Sequence, residues 1–407
     1  MAFYHYKARD RQGQLSEGRM EAASPRALAA SLAQSGLIPV EMKETRSGTK
    51  TWLALRQFLK GGIKPEALLI LSRQLASLTR AGIPILRIVE GLRDTTDVRV
   101  LRVALDEVAQ ALNEGQTLAN ALAAHPHLFN NLFVSLVEVG ESTGQLEQAF
   151  LQLAHYYQLE LDTRRRIKAA IRYPLFVSMA MVAAMAVINI YVIPAFSGIF
   201  ARLGTELPLA TRLLIGSSYF FTHYLGLLLA GVAALAGGFM WYVRTPGGRL
   251  RWHKTLLRIP IVGPLIKRIL LARFCRSFAM MLSAGVPITR VLQLAGSATD
   301  NAFLTQAIHG MSEGLASGDS LSAVAGNSRV FTPLILQMFR VGEETGRVDE
   351  MVMEAGRFYE EEVDYDIANL SSRIEPILIT AISAMVLVLA LGIFTPMWDM
   401  VNLAKGG

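Results

Sequence analysis

Charged residues and cysteines are both scarce in this chain of 407 residues. Only 18% of its residues are charged, whereas ordinary soluble domains carry about 25%. This shortage argues against a purely soluble protein and for membrane-spanning segments. The single cysteine, Cys275, excludes a disulfide framework and any cysteine-built zinc or iron–sulfur site. The hydrophobic share of 52% excludes a disordered or low-complexity chain.

The motifs of common enzyme classes are missing as well. No H-E-x-x-H string occurs, and His125 and His127 flank Pro126 in a predicted exposed loop. The string nearest to a phosphate-binding loop is residues 13–20. After its second glycine, Gly18, it has Arg19-Met20 where such a loop requires lysine and then serine or threonine. The sequence therefore predicts no catalytic residue, no cofactor and no metal site built from histidine or cysteine.

Three long stretches without any charge stand out against this background. Each exceeds the roughly 20 apolar residues that a helix needs to cross a bilayer. The predicted spans are residues 173–195, 219–243 and 376–398. Their few polar side chains, such as Asn189, Thr380 and Ser383, are expected to make helix–helix hydrogen bonds. No Asp, Glu, Lys or Arg lies in the spans, and His223 is expected at the membrane interface, so no proton relay or ion path is indicated.

The basic residues near the spans predict the orientation of the chain. Lysine and arginine concentrate on the cytoplasmic side of membrane proteins. One cluster precedes the first span and another follows the second: Arg164, Arg165, Arg166, Lys168 and Arg172, then Arg244, Arg249, Arg251, Lys254 and Arg258. The loop 196–218 holds only Arg202 and Arg212. We therefore expect both clusters to be cytoplasmic, with the loop 196–218 and the tail 399–407 outside.

An internal duplication is the main organising feature of the chain. Four segments recur in order at an offset of about 202 to 203 residues. They are 73–92 with 276–295, 114–122 with 317–325, 139–150 with 341–352, and Tyr173-Pro174 with Glu375-Pro376. The duplication predicts two homologous units, residues 64–172 and 244–375, on the same side of the membrane.

Each repeated unit has the apolar spacing of helices. Gly82 suits the left-handed position that ends a helix, and Pro84 suits the first turn of the next helix. Further breaks are predicted at His125-Pro126 and at Gly140. These signals predict about six helices per unit, the last of which continues into a span.

Residues 1–63 form a separate predicted piece with a small α+β character. The strings FYHYKA and LSEGRME flank a turn at residues 10–13, which is typical of a hairpin. A short helix is predicted for ALAASLAQ, ended by Gly36, and residues 37–40 are predicted to be extended. Residues 43–63 are predicted to be a linker.

The G-E-x-T-G strings of the two units are the first group of candidate site residues. Gly140 and Gly342 are predicted to end one helix, and Ser142, Thr143 and Thr345 to begin the next, with Ser142 and Gln145 spaced as a capping box. The turn does not require Glu141 and Glu343. Three roles stay open for these glutamates: stabilisation of a helix start, contact with a partner, or a metal ion at a subunit interface. The candidate residues are Gly140, Glu141, Thr143, Gly144, Gly342, Glu343, Thr345 and Gly346.

A run of acidic residues beside the third span forms the second group. Its members are Glu360, Glu361, Glu362, Asp364 and Asp366. Mutual repulsion in this run is relieved by solvent, by a cationic partner, or by the start of the same unit. That start, residues 244–276, holds nine basic residues and no acidic one. Part of this basic segment is also suited to anionic lipid head groups.

Several motifs together resemble one known family. The chain opens with Tyr4-x-Tyr6-x-Ala8-x-Asp10-x-x-Gly13 and Gly36-Leu37-x-Pro39, continues with Arg73-Gln74-Leu75-Ala76 and Ala81-Gly82-Ile83-Pro84, repeats the G-E-x-T-G string, and then shows Glu206-Leu207-Pro208, Thr211-Arg212 and Pro396-Met397-Trp398-Asp399. These strings resemble the GspF/PilC family of inner-membrane platform proteins from type II secretion and type IV pilus machines, including MSHA-like pili. The second repeat departs slightly, opening with Arg276-Ser277-Phe278-Ala279.

The resemblance implies an all-α polytopic membrane protein with two homologous cytoplasmic helical bundles and three transmembrane helices. It implies a non-enzymatic scaffold in the bacterial inner membrane, with residues 196–218 and 399–407 in the periplasm. The implied partners are a cytoplasmic hexameric traffic ATPase, pilin or pseudopilin subunits, other inner-membrane assembly proteins and further copies of the chain. No nucleic acid is implied.

Two other classes of protein compete with a scaffold. A transporter or a membrane-enzyme subunit requires a polar path through the spans or a catalytic cluster, and the sequence contains neither. An adaptor that binds lipid through the basic segment 244–276 leaves the two copies of a helical bundle without a role.

Overall fold

The computed structural model describes residues 2–9, 15–22, 29, 38–45, 63–194 and 209–405. The chain divides into two compact units, Met1–Ile63 and Lys64–Gly407. The predicted short helix over ALAASLAQ lies outside the described residues except for Ala29, which is helical.

The first unit contains a three-stranded antiparallel sheet. Its strands are β1 (Ala2–Arg9), β2 (Leu15–Ala22) and β3 (Ile38–Thr45), in the order β2-β1-β3. β1 pairs with β2 from Ala2 opposite Ala22 to Arg9 opposite Leu15, which is the pairing that the predicted hairpin requires. β3 continues to Thr45, so the extended segment is longer than predicted and takes in the start of the predicted linker.

Six helices form the first repeat of the second unit. They are α1 (Pro65–Arg80), α2 (Ile85–Thr95), α3 (Arg99–Asn113), α4 (Leu118–Ala123), α5 (Asn131–Thr143) and α6 (Leu146–Val187). α6 ends in a π-helical turn, Ile188–Val192. α1 packs along the first part of α6, and Phe129, Phe133 and Phe150 are fully buried in the core.

The second repeat follows two connecting helices, α7 (Leu209–Arg244) and α8 (Pro246–Leu256). Its helices are α9 (Val262–Ser283), α10 (Ile288–Ala298), α11 (Ala302–Ala316), α12 (Leu321–Ser328), α13 (Pro333–Thr345) and α14 (Val348–Ala368). α15 (Leu370–Lys405) follows directly. α9 packs along α14 as α1 packs along α6, and Phe274, Phe278 and Phe339 fill the core.

The helix–helix corner at A-G-x-P matches its prediction in both repeats. Gly82 has φ +74° and Gly285 has φ +91°, a left-handed conformation in which a side chain is strained. Pro84 and Pro287 differ from the prediction by one position. Each is the N-cap residue immediately before the next helix and not its first residue. The corner is thus built from local sequence alone, since it needs only glycine freedom and proline rigidity.

Two helical stretches in the described part of the chain are long and apolar enough to cross a membrane. They are Leu146–Val192, which is α6 with its π-helical turn, and Val348–Val388, which runs from α14 into α15. Almost no residue of their apolar segments is buried, as is expected of residues that face lipid. The predicted second span falls within α7, a helix of 36 residues whose side chains are described only in part. Its crossing of the membrane stays a prediction.

Two polar side chains of the predicted spans make a hydrogen bond within their own helices. Asn189 Nδ2 donates to the carbonyl of Met185 at 3.0 Å, and Thr380 Oγ1 donates to the carbonyl of Pro376 at 2.7 Å. One hydrogen bond does join two helices, since Ser218 Oγ in α7 donates to the carbonyl of Asn189 at 2.5 Å. The Thr380 hydroxyl thus donates within its own helix, whereas a helix–helix hydrogen bond was expected.

Candidate functional site

The two glycines of each G-E-x-T-G string have different roles. Gly144 (φ +72°) and Gly346 (φ +71°) are the left-handed residues that end α5 and α13. Gly140 and Gly342 lie inside these helices and are buried. The prediction that Gly140 and Gly342 end a helix is wrong.

Gly140 and Gly342 are required by the close approach of the next helix. A Cβ at position 140 would lie 2.8 Å from Ala149 Cβ in α6. At position 342 it would lie 2.7 Å from Val348 Cα, a backbone atom of α14. Because carbon atoms in contact are usually about 3.5–4.0 Å apart, only glycine fits at this crossing.

The hydroxyl residues of the string also differ from their prediction. Thr143 Oγ1 donates to the carbonyl of Val139, and Thr345 Oγ1 donates to the carbonyl of Val341, both at 2.7 Å. Ser142 Oγ likewise bonds back to Val139, at 3.0 Å. These residues belong to the last turns of α5 and α13, so the predicted capping box is absent.

Glu141 and Glu343 stabilise a helix start, but that of a different helix. The carboxylate of Glu141 accepts hydrogen bonds from the backbone N–H groups of Leu118 (2.7 Å) and Ala119 (3.0 Å), the first two residues of α4. Glu343 accepts from Leu321 and, at 3.0 Å, from Ser322, the first two residues of α12. A carboxylate at a helix N-terminus also interacts favourably with the helix dipole.

The N-cap residues complete this arrangement. Thr117 Oγ1 accepts from the N–H of Asn120 at 3.3 Å, and Ser320 Oγ accepts from the N–H of Ala323 at 3.2 Å. The N–H groups of the first three residues of each short helix, which have no partner within the helix, are thereby bonded. The sequence signal for this contact is that both partners recur: the strings EGQTL and SGDSL, and the glutamates that follow them. Sequence spacing alone does not show that segments 22 residues apart are in contact.

Ion pairs within the chain neutralise most of the acidic run on α14. Glu360 accepts from Arg276 Nε at 2.8 Å, and Glu362 lies 3.0 Å from Arg268. The buried Asp366 contacts Arg268 and, at 3.2 Å, Arg373. Of the three explanations left open by the sequence, the basic start of the same unit accounts for Glu360, Glu362 and Asp366.

The two remaining acidic residues face elsewhere. Asp364 pairs with Arg166 of α6, which belongs to the first repeat. Glu361 is exposed, and no ion pair is described for it among the residues of 63–194 and 209–405. Glu361 is therefore the member of the acidic run that stays available for a contact outside the chain.

A small cleft separates the two repeats where α6 faces α9 and α14. It has a volume of about 80 Å³, and the acidic side chains that line it are Glu160, Asp162, Glu360 and Asp364. The buried Glu160 bonds to Arg273 at 2.5 Å and to Arg164 at 2.7 Å. Burial, and next the charge of Glu160, raise the pKa of Tyr156 beside it. Within the described residues, no group of three or more His, Cys, Asp or Glu side chains is placed to hold a metal ion.

His125 is buried, against the prediction of an exposed loop histidine. Its Nε2 lies 3.5 Å from a carboxylate oxygen of Glu107, and its ring packs edge-on against His127 at 6.1 Å. Burial lowers its pKa, although Glu107 opposes this effect. His127 itself is exposed, as predicted.

Comparison with known proteins identifies the family. The family model described as "Type II secretion system (T2SS), protein F" matches residues 71–194 and again 274–396. The model for the N-terminal domain of the same protein matches residues 1–43. The chain belongs to the type II secretion protein F family. Each of the two matches to the main model includes one G-E-x-T-G string. The two G-E-x-T-G turns are therefore equivalent parts of one family domain.

Relatives from both secretion and pilus systems align with nearly the whole chain. The type IV pilus assembly protein PilC of Thermus thermophilus is 35% identical over 405 residues, covering 99% of each chain. The type II secretion system protein F of Pseudomonas aeruginosa is 32% identical over 402 residues, covering 97% of this chain and 98% of its own. The protein F of Vibrio cholerae is 28% identical over 403 residues, covering 99% of each.

Proposed function

We propose that this member of the protein F family is a non-enzymatic scaffold of the bacterial inner membrane. In this role it couples a cytoplasmic hexameric ATPase to the assembly of pilin or pseudopilin subunits, for type II secretion or for a type IV pilus of the twitching or MSHA-like kind. The names of its relatives, a type II secretion protein F and a type IV pilus assembly protein, support this class of function.

The continuity of α6 is the observation that carries the proposal. This helix begins at the corner of the first bundle and continues without interruption into the apolar segment that ends at Val192. At 1.5 Å per residue, its 42 α-helical residues extend over about 63 Å. In the second repeat α14 ends at Ala368 and α15 begins at Leu370, so the bundle helix leads into the next helix across one residue, Asn369. A push on the first bundle is thereby transmitted along one continuous helix towards the membrane.

Binding to the ATPase is the first expected result. The full-length chain in detergent should co-purify with the traffic ATPase of its own organism, because the two helical bundles are the parts of the chain proposed to face it. The units 64–172 and 244–375 are tested separately beside it, and an unrelated hexameric ATPase is the control. Failure of the full chain and of both units to bind the cognate ATPase would remove the coupling role.

Topology is the second expected result. The basic clusters before residue 173 and after residue 243 predict that both repeats are cytoplasmic. A reporter inserted near Gly204 should therefore report a periplasmic position, and one near Gly318 a cytoplasmic position. The fusions are compared for activity of a periplasm-dependent and a cytoplasm-dependent reporter in intact cells. The opposite pattern would contradict the three-span arrangement.

A further inference from the structure

The contact between the two repeats uses different surfaces of two similar bundles. The first repeat contributes one face of α6, where Tyr156 is only 5% exposed. From this face Glu160 pairs with Arg273 of α9, and Arg166 pairs with Asp364 of α14. Glu138 of α5 also pairs with Arg290 of α10 at 2.9 Å. The contact is therefore heterologous: α5 and one face of α6 in the first repeat meet α9, α10 and α14 of the second.

Apolar side chains strengthen the same contact near the membrane helices. Ile167 and Ala170 of α6 pack against a buried cluster of the second repeat, and Ser371 Oγ donates to the carbonyl of Ala170 at 3.2 Å. The cluster consists of Leu265, Val363, Ile367 and Leu370.

The duplication leaves an equivalent of the α6 face on the second repeat. Counting 202 residues onward, Tyr156 corresponds to Phe358 and Thr163 to Tyr365, both in α14. Phe358 is 46% exposed and Tyr365 is 63% exposed. Glu361, the acidic residue described above without an ion pair, corresponds to Leu159 and lies between them on the same side of the helix. We name Phe358, Glu361 and Tyr365 the α14 face.

The first repeat carries the equivalent of the receiving surface. Counting back 203 residues, Arg273 corresponds to Ile70 and Arg276 to Arg73, and both of these α1 residues are exposed. Arg73 bonds to Gln158 at 3.0 Å just as Arg276 bonds to Glu360 at 2.8 Å, so the two surfaces share their internal construction. We name Ile70, Arg73 and the exposed Gln74 the α1 face.

We propose that the α14 face of one copy of this chain docks on the α1 face of a second copy. The molecule contains a contact of this kind once, between its own repeats, and the duplication leaves the equivalent of each face exposed. The internal ion pairs are not repeated there, since Ile70 replaces Arg273 and Ala368 replaces Arg166. The chemistry is complementary, because Phe358 and Tyr365 offer apolar area to Ile70, and Glu361 offers a carboxylate to Arg73. A heterologous contact of this kind joins copies head to tail, into a ring or an open row. The proposal goes beyond the proposed function and does not rest on it, and it gives a surface to the expectation from the sequence that further copies of the chain are partners.

Cysteine cross-linking tests the proposal in membranes. Cys275 is the chain's single cysteine and is fully buried, and burial raises its pKa strongly, so introduced cysteines react in its presence. In the internal contact Tyr156 lies near Arg273, Arg276 and Ser277, which affect its pKa, and Ser277 corresponds to Gln74. A tagged Phe358→Cys copy is therefore expressed with a differently tagged Gln74→Cys copy and treated with a short bis-maleimide.

The expected product is a dimer that carries both tags and is absent when either variant is expressed alone. Val103→Cys, an exposed position on α3 outside both faces, replaces Gln74→Cys in the control and should give no such product. The proposal would be overturned if the mixed product did not exceed that of the control. It would also be overturned if Phe358→Cys cross-linked to a second Phe358→Cys copy or to another protein. The traffic ATPase is left out, so failure of this contact and failure of the coupling role are separate results.

Self-association in detergent gives a second measurement. The double variant Phe358→Glu/Tyr365→Glu alters only exposed side chains, so its folding should be retained, as circular dichroism verifies. Its particle mass by light scattering should fall from that of an oligomer to that of a single copy, while Val103→Glu leaves the mass unchanged. An unchanged mass for the double variant, or an equal fall for Val103→Glu, would overturn the proposal.

Discussion

Replacing Gly342 with alanine is expected to lower the free energy of unfolding by about 3 kcal/mol, at the upper end for overpacking, because the new methyl group meets backbone atoms. Its Cβ would lie 2.7 Å from Val348 Cα, which moves only if α13 and α14 separate. The denaturant midpoint of the purified full chain, followed by circular dichroism, measures the loss. Gly140→Ala should act in the same direction in the first repeat, where Ala149 is the obstacle.

Gly310→Ala is the matched control for this substitution. Gly310 also lies inside a helix, α11, but it is exposed, and a Cβ added there would meet no atom within 4 Å. Alanine there should raise stability by up to about 1 kcal/mol, the difference in helix propensity. Equal effects of the two substitutions would show that Gly342 is not held at a close helix crossing.

Replacing Glu343 with alanine is expected to cost about 3 kcal/mol, because two charge-assisted hydrogen bonds to backbone N–H groups are lost together. The N–H groups of Leu321 and Ser322 then lose the carboxylate that binds them at the start of α12. Glu343→Gln keeps an acceptor oxygen and should restore part of the loss. Hydrogen exchange at Leu321 and Ser322, together with the denaturant midpoint, reports the change.

The neighbouring glutamate separates this role from a role in partner binding. Glu344 is exposed, and Glu344→Ala should change stability by less than about 0.5 kcal/mol. If Glu343 acted only through a partner, Glu343→Ala would leave the stability of the purified chain as little changed as Glu344→Ala does. Glu141→Ala provides an independent repetition in the first repeat, with Leu118 and Ala119 as the exchange probes.

The corners of the bundles show where sequence reasoning is sufficient. The A-G-x-P corner follows from the conformational range of Gly82 and the rigidity of Pro84, which are properties of neighbouring residues. Gly140 and Gly144 are four residues apart and chemically identical, so a local pattern does not separate the glycine that ends the helix from the glycine at a helix crossing. The position of Ala149 on the returning helix makes that distinction.

The glutamates and the acidic run show the same division on a larger scale. Glu141 had a predicted role at a helix start, but the helix that it stabilises precedes it by 22 residues. The partners of Glu360 and Asp366 on α9, Arg276 and Arg268, lie 84 and 98 residues away. The sequence showed charges of opposite sign in the second unit, whereas their pairing depends on the packing of α9 along α14.

By itself the sequence determined the family, the duplication, the helical nature of both units and the length of the apolar segments, because these properties depend on composition, repetition and local spacing. Only the tertiary structure decided which glycine of each G-E-x-T-G string lies against the next helix. It also decided which helix each glutamate stabilises and which face of α14 is left uncovered. Those outcomes depend on which distant segments meet. A repeated sequence predicts two equal bundles, and only their packing shows that equivalent faces, at Tyr156 and at Phe358, have different surroundings.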